Sequence, residues 1–178
     1  MRILLNTLLA VALSVWGGLS QAQEAAQQIA RAPNLPDRFH SCYRIDAQKE
    51  WQRVAIQGDL RPSVMVLSTL TGTEGLLNSL TPPYRWSVDD ARYARVGPEG
   101  HIGSAAQALE PFSGFKYLKS EPFGALIIRA NQVDPRAFPL IAGSSRFPEG
   151  TRWIDFRIND TGLGDNGGSL QLCVAQGS

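Results

Sequence analysis

Histidine and cysteine each occur only twice in this 178-residue chain, as His40, His101, Cys42 and Cys173. With two imidazoles to draw on, a Ser-His-Asp arrangement would have to use His101 with Ser104 or a more distant serine, because His40 falls in a linker-like stretch. Neither a G-x-S-x-G elbow nor an H-E-x-x-H motif occurs, so the signatures of serine-hydrolase and zinc-peptidase chemistry are missing. No run of like charge is present, and 17 basic residues nearly balance 16 acidic ones. That balance gives no electrostatic reason to expect nucleic acid or anionic lipid as a partner. Internal repeats and low-complexity segments are absent, and no second long apolar run comes after the first one, at 3–15.

That first run has the physics of a secretion signal. Arg2 precedes the apolar stretch, and Ser20, Gln21 and Ala22 supply a small-residue cleavage site, so 1–22 is read as a signal peptide removed after Ala22. The apolar core is short for a membrane span, and no membrane span is expected once it is removed. No cysteine lies near the cleavage site to carry a lipid. The chain from Gln23 onward has the length of one domain with a real core. Residues 24–32, rich in Ala and Gln, read as a short helix, and Pro33 and Pro36 mark a linker after it, so 23–40 forms an N-terminal helix or linker. The domain proper is 41–178.

Within it the pattern is of short strands. Stretches 54–56, 64–70, 86–88 and 125–129 are rich in β-branched and aromatic residues, and Pro82, Pro83, Pro98, Pro111, Pro122 and Pro148 punctuate them. Apart from the signal and 24–32, no window sustains a helical period. Many short strands with Pro and Gly turns predict an all-β sandwich or barrel. Cys42 and Cys173 lie near opposite ends of a chain bound for an oxidising compartment, which predicts a disulfide, the alternative being two unpaired thiols.

The segment T-R-W-I-D-F-R-I-N-D-T-G-L-G-D-N-G-G-S-L-Q-L-C-V, 151–174, carries the chemistry. Ile154, Phe156 and Ile158 alternate with Trp153, Asp155, Arg157 and Asn159, and Leu170, Leu172 and Val174 alternate with Ser169, Gln171 and Cys173. Two half-buried strands joined as a β-hairpin are expected. Asp160 closes the first strand, while Asp165 and Asn166 precede the second, so three oxygen-bearing side chains meet at one end. Such residues are the ordinary material of turns. Two carboxylates so close also call for a cation, and an all-oxygen set favours calcium over zinc or copper. Gly162, Gly164 and Gly167 match G-x-G-x-x-G, but a strand rather than a helix comes after them, so a dinucleotide site is rejected.

The runs F-G-A-L-I-I-R-A, F-P-L-I-A-G, G-T-R-W-I-D-F-R-I-N-D and D-N-G-G-S-L-Q-L, with R-W-S-V-D-D and V-G-P-E-G-H upstream, resemble the calcium-dependent, galactose-binding bacterial lectins. The resemblance spans about 64–174, and its most specific part is N-D followed by D-N-x-G-S. It implies a jelly-roll-like, galactose-binding-like β-sandwich. It also implies Ca2+ held by the side chains of Asp160, Asp165 and Asn166, the Asp89 carbonyl, and a carbonyl of Leu163 or Thr161. Two sugar hydroxyls would then complete the calcium shell. In the sugar loop Gln107 falls near the family's glutamine. His101 lies three residues before the position of the family's histidine, which Ser104 occupies. The loop from Asp160 to Asp165 is one residue shorter than the family's, and Asp165 replaces an asparagine. Tyr93, Phe115 and Tyr117 are candidates either to stack on a sugar or to cover an open end of the core. The reading is a secreted or periplasmic, non-catalytic, calcium-dependent carbohydrate-binding protein whose partner is a galactoside or other glycan, with self-association left open. The alternative keeps the fold and makes it a structural or interaction module.

Overall fold

Alternating apolar side chains need a core on one side and a bonded neighbour along the strand, and the strands of this chain find both in two antiparallel sheets. The structure, a computed structural model, describes residues 25–31, 37, 39–57, 62–66, 85–131, 135–138 and 144–175. The signal segment 1–22, Pro33, Pro36, Pro82, Pro83 and the far end of the strand expected over 64–70 lie outside the described residues.

The strands are β1 (Gln27–Ile29), β2 (Phe39–Asp46), β3 (Gln52–Ala55), β4 (Ser63–Val66), β5 (Trp86–Ser87), β6 (Leu126–Ala130), β7 (Arg136–Ala137), β8 (Ser144–Arg146), β9 (Trp153–Ile158) and β10 (Gly167–Ala175). The larger sheet runs β1-β2-β10-β4-β8, with β5 paired to the start of β10. The smaller runs β3-β9-β6-β7. Ile45, Val64, Val66, Leu170 and Leu172 from the larger sheet meet Val54, Leu126, Ile128, Ile154, Phe156 and Ile158 from the smaller in one buried cluster. This is the sandwich-like, all-β arrangement the strand pattern predicts.

Four expectations need correction. The segment 151–174 is not a hairpin: β9 pairs with β3 and β6, whereas β10 pairs with β2, β4 and β5, so the connection arches from one sheet to the other. Both strands present their apolar faces to the same core from opposite sides, a geometry that produces the same alternation as a hairpin.

Nor is the outer face of β9 open to solvent. Asp155, Arg157 and Asn159 are buried there, and Trp51, Ala125 and Ile127 form a second small core on that side, covered by Tyr117 and Leu118. Asp155 accepts from Arg53 (2.8 and 3.1 Å) and Arg129 (2.9 Å). The Arg129 guanidinium lies 4.3 Å from the Trp51 ring centroid, and that of Arg157 4.3 Å from the Tyr117 centroid. Stacking on aromatic faces suits a weakly hydrated, planar cation under cover.

The helix expected over 24–32 is replaced, at Gln27–Ile29, by β1, in register with β2 from Gln27 opposite Arg44 to Ile29 opposite Cys42. A short Ala- and Gln-rich segment with few apolar anchors cannot hold a helix, whereas pairing with β2 gives one side of its backbone a ladder of partners. The one helix in the described residues, α1 (Gly103–Leu109), buries only Leu109, and a 3-10 turn, Glu110–Phe115, with Pro111 at its start, continues directly from it. A single anchor leaves no period to read in the sequence.

Cys42 and Cys173 form the expected disulfide, directly opposite one another on β2 and β10. Cys42 therefore lies beside the last strand, in the same sheet. The bridge closes a separation of 131 residues, for which chain entropy gives a stabilisation of about 4 to 5 kcal/mol.

Gly168 lets β5 approach β10. It sits at φ +84°, and a Cβ there would collide with the Arg85 carbonyl oxygen and come within 3.0 Å of the Trp86 Cα. Gly168→Ala is expected to destabilise by about 2 kcal/mol or more, combining left-handed strain with a backbone clash. Urea unfolding checks this, and an unchanged midpoint would contradict the close approach.

Candidate functional site

The arch between β9 and β10 is anchored by alternate residues. Arg157 donates from Nε to the Ile158 carbonyl at 3.2 Å and from Nη2 to the Asp160 carbonyl at 2.6 Å. Fully buried Asn159 accepts the Leu118 N–H on Oδ1 (2.7 Å) and shares its Nδ2 hydrogens among the carbonyls of Leu118, Glu121 and Pro122 (3.0, 3.1 and 2.9 Å). Thr161 donates its N–H and its Oγ1 to the Phe115 carbonyl, each at 2.8 Å. Residues 159 and 161 thus fasten 115–122 along the end of the strand, and Arg157 stacks on Tyr117 of the same segment. On the far side of the arch the Asp165 carbonyl accepts the Asp90 N–H (3.1 Å), and Asn166 donates from Nδ2 to the Ala47 carbonyl (3.0 Å).

Asp160, Asp165 and Asn166 come together in this frame. Asp160 is only 4% exposed, and its Oδ1 accepts the Gly162 N–H at 2.9 Å. Among the described residues no basic side chain pairs with its carboxylate, since Arg157 binds only the backbone oxygen. Burial first, and then the charge of Asp165, push the Asp160 carboxyl from 3.8 up to about 6, against hydrogen bonds from Gly162, Thr161 and Asn166 that favour ionisation. Asn166 is 2% exposed, and its Oδ1 is buried without a partner.

An orphaned amide oxygen beside one buried and one exposed carboxylate is a donor set whose needs a hard cation would meet. Among the described residues the carbonyls of Thr161 and Leu163 accept no hydrogen bond and can add to it. No group of three His, Cys, Asp or Glu side chains among the described residues has metal-holding geometry; the donors here are two carboxylates, an amide and backbone oxygens.

The Asp89 carbonyl, the remaining expected donor, is engaged elsewhere. It accepts Ser87 Oγ (3.0 Å) and the N–H groups of Tyr93 (2.9 Å) and Arg92 (3.2 Å), closing its own turn. The Asp89 carboxylate accepts the Ala91 and Arg92 N–H groups and pairs with Arg92 Nε at 3.3 Å. The Leu163 side chain packs against the core.

Of the expected ligand residues, Asp89, Asp160 and Asp165 border a cleft of about 170 Å³, whereas Leu163 and Asn166 do not line it. Asp89, Arg92, Asp160, Gly162 and Asp165 supply its polar side, and Val88, Tyr93, Leu109, Phe112, Phe115 and Phe123 its apolar side. Phe112 and Phe115 are about half exposed, and their spacing of three on a 3-10 turn puts both rings on one side. Phe115 thus faces the cleft, while Tyr117 covers the outer face of the smaller sheet.

His101 and Gln107 lie elsewhere. His101 is 1% exposed behind Tyr93, ring centroids 5.7 Å apart, and burial pushes its pKa down. It supports the cleft wall and is not positioned to touch a ligand. Gln107 is exposed on α1 and does not border the cleft. Reasoning from sequence missed Phe112 and Arg92. The E-P-F-S-G-F run held the signal for Phe112: a Pro-initiated tight turn with two rings three residues apart.

The fold and site define a sandwich-like all-β domain with an acidic, aromatic-walled cleft at one end. The chain matches no protein-family model, no curated protein and no solved structure.

The raised pKa of Asp160 fixes a sign. A carboxyl that holds its proton more tightly when folded stabilises the fold below about pH 4, and that contribution is lost as pH rises through about 6. In chelator, the stability of Asp160→Asn relative to the parent chain is expected to rise by up to about 3 kcal/mol between pH 4 and 7.5. Parallel pH profiles for the two chains in urea unfolding would contradict the assignment.

Proposed function

We propose that this is a calcium-dependent carbohydrate-binding protein of the lectin type, non-catalytic, with a galactose-binding-like sandwich, acting in the periplasm or outside the cell. The carrying observation is the cleft that Asp160 and Asp165 line together with Phe112 and Phe115. Small sites of this mixed character are those in which a few polar groups orient a ligand and apolar walls bury it. Asp160, Asp165 and Asn166 would hold the ion with a carbonyl from Thr161 or Leu163, and calcium, when bound, would offer its remaining coordination positions to adjacent sugar hydroxyls. The lectin-like motifs around these residues support the same reading, as do the signal-like leader and the disulfide for an exported chain. Among the described residues no histidine borders the cleft beside the carboxylates, His101 being buried behind Tyr93, which supports the non-catalytic side of the reading.

A second reading, a structural or interaction module in which calcium only pins the arch, draws on the engaged Asp89 carbonyl, which leaves the ion one donor fewer than the resemblance implies.

Calorimetric titration with galactosides, in calcium and in chelator, separates the two. Heat of binding that appears only with calcium is expected. A calcium-raised melting temperature with no response to any sugar would favour the module, and turnover of a glycoside would overturn the non-catalytic assignment.

A further inference from the structure

The two walls of the cleft are fastened to each other, and that fastening defines what the cleft can take. Thr161 comes directly after the acidic residue Asp160, and its N–H and Oγ1 both grip the carbonyl of Phe115 at 2.8 Å. Two bonds from one residue to one oxygen fix the position of the Phe115 backbone relative to the Asp160 carboxylate. A Cβ placed on Gly162 would lie 3.7 Å from Asp160 Oδ1 and 3.9 Å from Phe115 Cδ1. Carboxylate and ring therefore flank the same narrow space, and the absence of a side chain at 162 keeps it open. Gly162 is not among the glycines at positive φ, so no backbone strain demands glycine there. Phe112, one 3-10 turn before Phe115, extends the aromatic wall, and both rings remain about half exposed.

From this arrangement we infer that Phe115 is the specificity-determining residue of the cleft, an aromatic platform for the apolar C–H face of one pyranose ring, with Thr161 as its positioning residue. The inference rests on the carbohydrate reading and narrows it. A pyranose chair has C–H bonds gathered on a face and hydroxyls around its rim, so one ring can meet the aromatic wall and the acidic wall at once. An acyclic polyol has the hydroxyls without the fixed apolar face. At about 170 Å³ the cleft is smaller than the roughly 300 Å³ at which pockets begin to enclose drug-sized ligands, so it takes a single terminal ring.

The test titrates the chain in calcium with a panel of methyl pyranosides (galacto, gluco, manno and fuco) and with galactitol. The parent chain is expected to bind at least one pyranoside, and galactitol at least tenfold more weakly. Phe115→Ala should weaken the pyranoside at least tenfold while keeping the calcium-induced rise in melting temperature, which reports that the acidic loop still holds the ion. Thr161→Val, which keeps the N–H bond and loses the hydroxyl bond, should weaken it severalfold, and Thr161→Ser should restore it. Gly162→Val, which fills the space between ring and carboxylate, should abolish it. If the parent binds a pyranoside and Phe115→Ala and Gly162→Val bind it equally well, the platform is overturned and the carbohydrate reading stands. If the parent binds no pyranoside, both are overturned together.

Discussion

Strand β9 is bonded on both edges, to β3 and β6, and β10 on both edges, to β2 and β4, and these strands belong to different sheets. The connection 159–166 must therefore leave the smaller sheet, cross the end of the core and enter the larger sheet at fixed points. This constraint governs the site. A hairpin loop would project beyond one sheet and be free to flex, whereas an arch is tied to both layers. Here it is also tied to its surroundings by the bonds of Arg157, Asn159, Thr161 and Asn166. The relative positions of its side chains are therefore set by the fold itself.

The same frame sets the electrostatics. Arg157 is 5% exposed, stacked on Tyr117, and gives its hydrogens to backbone oxygens. Burial pushes its pKa down, yet a guanidinium stays charged at any ordinary pH. Asp160 is only three residues away, yet Arg157 bonds its backbone oxygen and not its carboxylate, and Asp160 borders the cleft with Asp165. A buried cation and a buried carboxylate so near in sequence would ordinarily pair. Their separation leaves the carboxylate's charge available at the cleft, where an ion could use it.

Much of the fold was legible in the residues because it depends on local alternation. The apolar series Ile154, Phe156, Ile158 and Leu170, Leu172, Val174 marks two strands with one face in a core, and the partnership of Cys42 and Cys173 comes from there being only one pair. Alternation carries no information on which neighbour a strand takes, and so arch and hairpin were indistinguishable. The outer face of β9 looked exposed because Asp155, Arg157 and Asn159 are polar; their burial depends on Trp51 and Tyr117, distant in sequence, arriving to cover them. The convergence of Asp160, Asp165 and Asn166 could be read from spacing alone. The placement of Asp89 and His101 could not, since hydrogen bonds within its own turn take up the first residue's carbonyl and Tyr93 screens the second.

The order of pairing in the larger sheet bears on how the molecule can be made. Strand β10 occupies the middle of that sheet yet comes after β1, β2, β4, β5 and β8 in the chain, and Cys42 must wait for Cys173. The early strands stay without their central partner until the stretch up to residue 175 is available, so the sheet closes only when that late segment joins it. Such late, long-range closure is slow. The disulfide then joins early strand β2 to late strand β10, so a covalent bond spans the very interval over which the sheet has to wait for its centre.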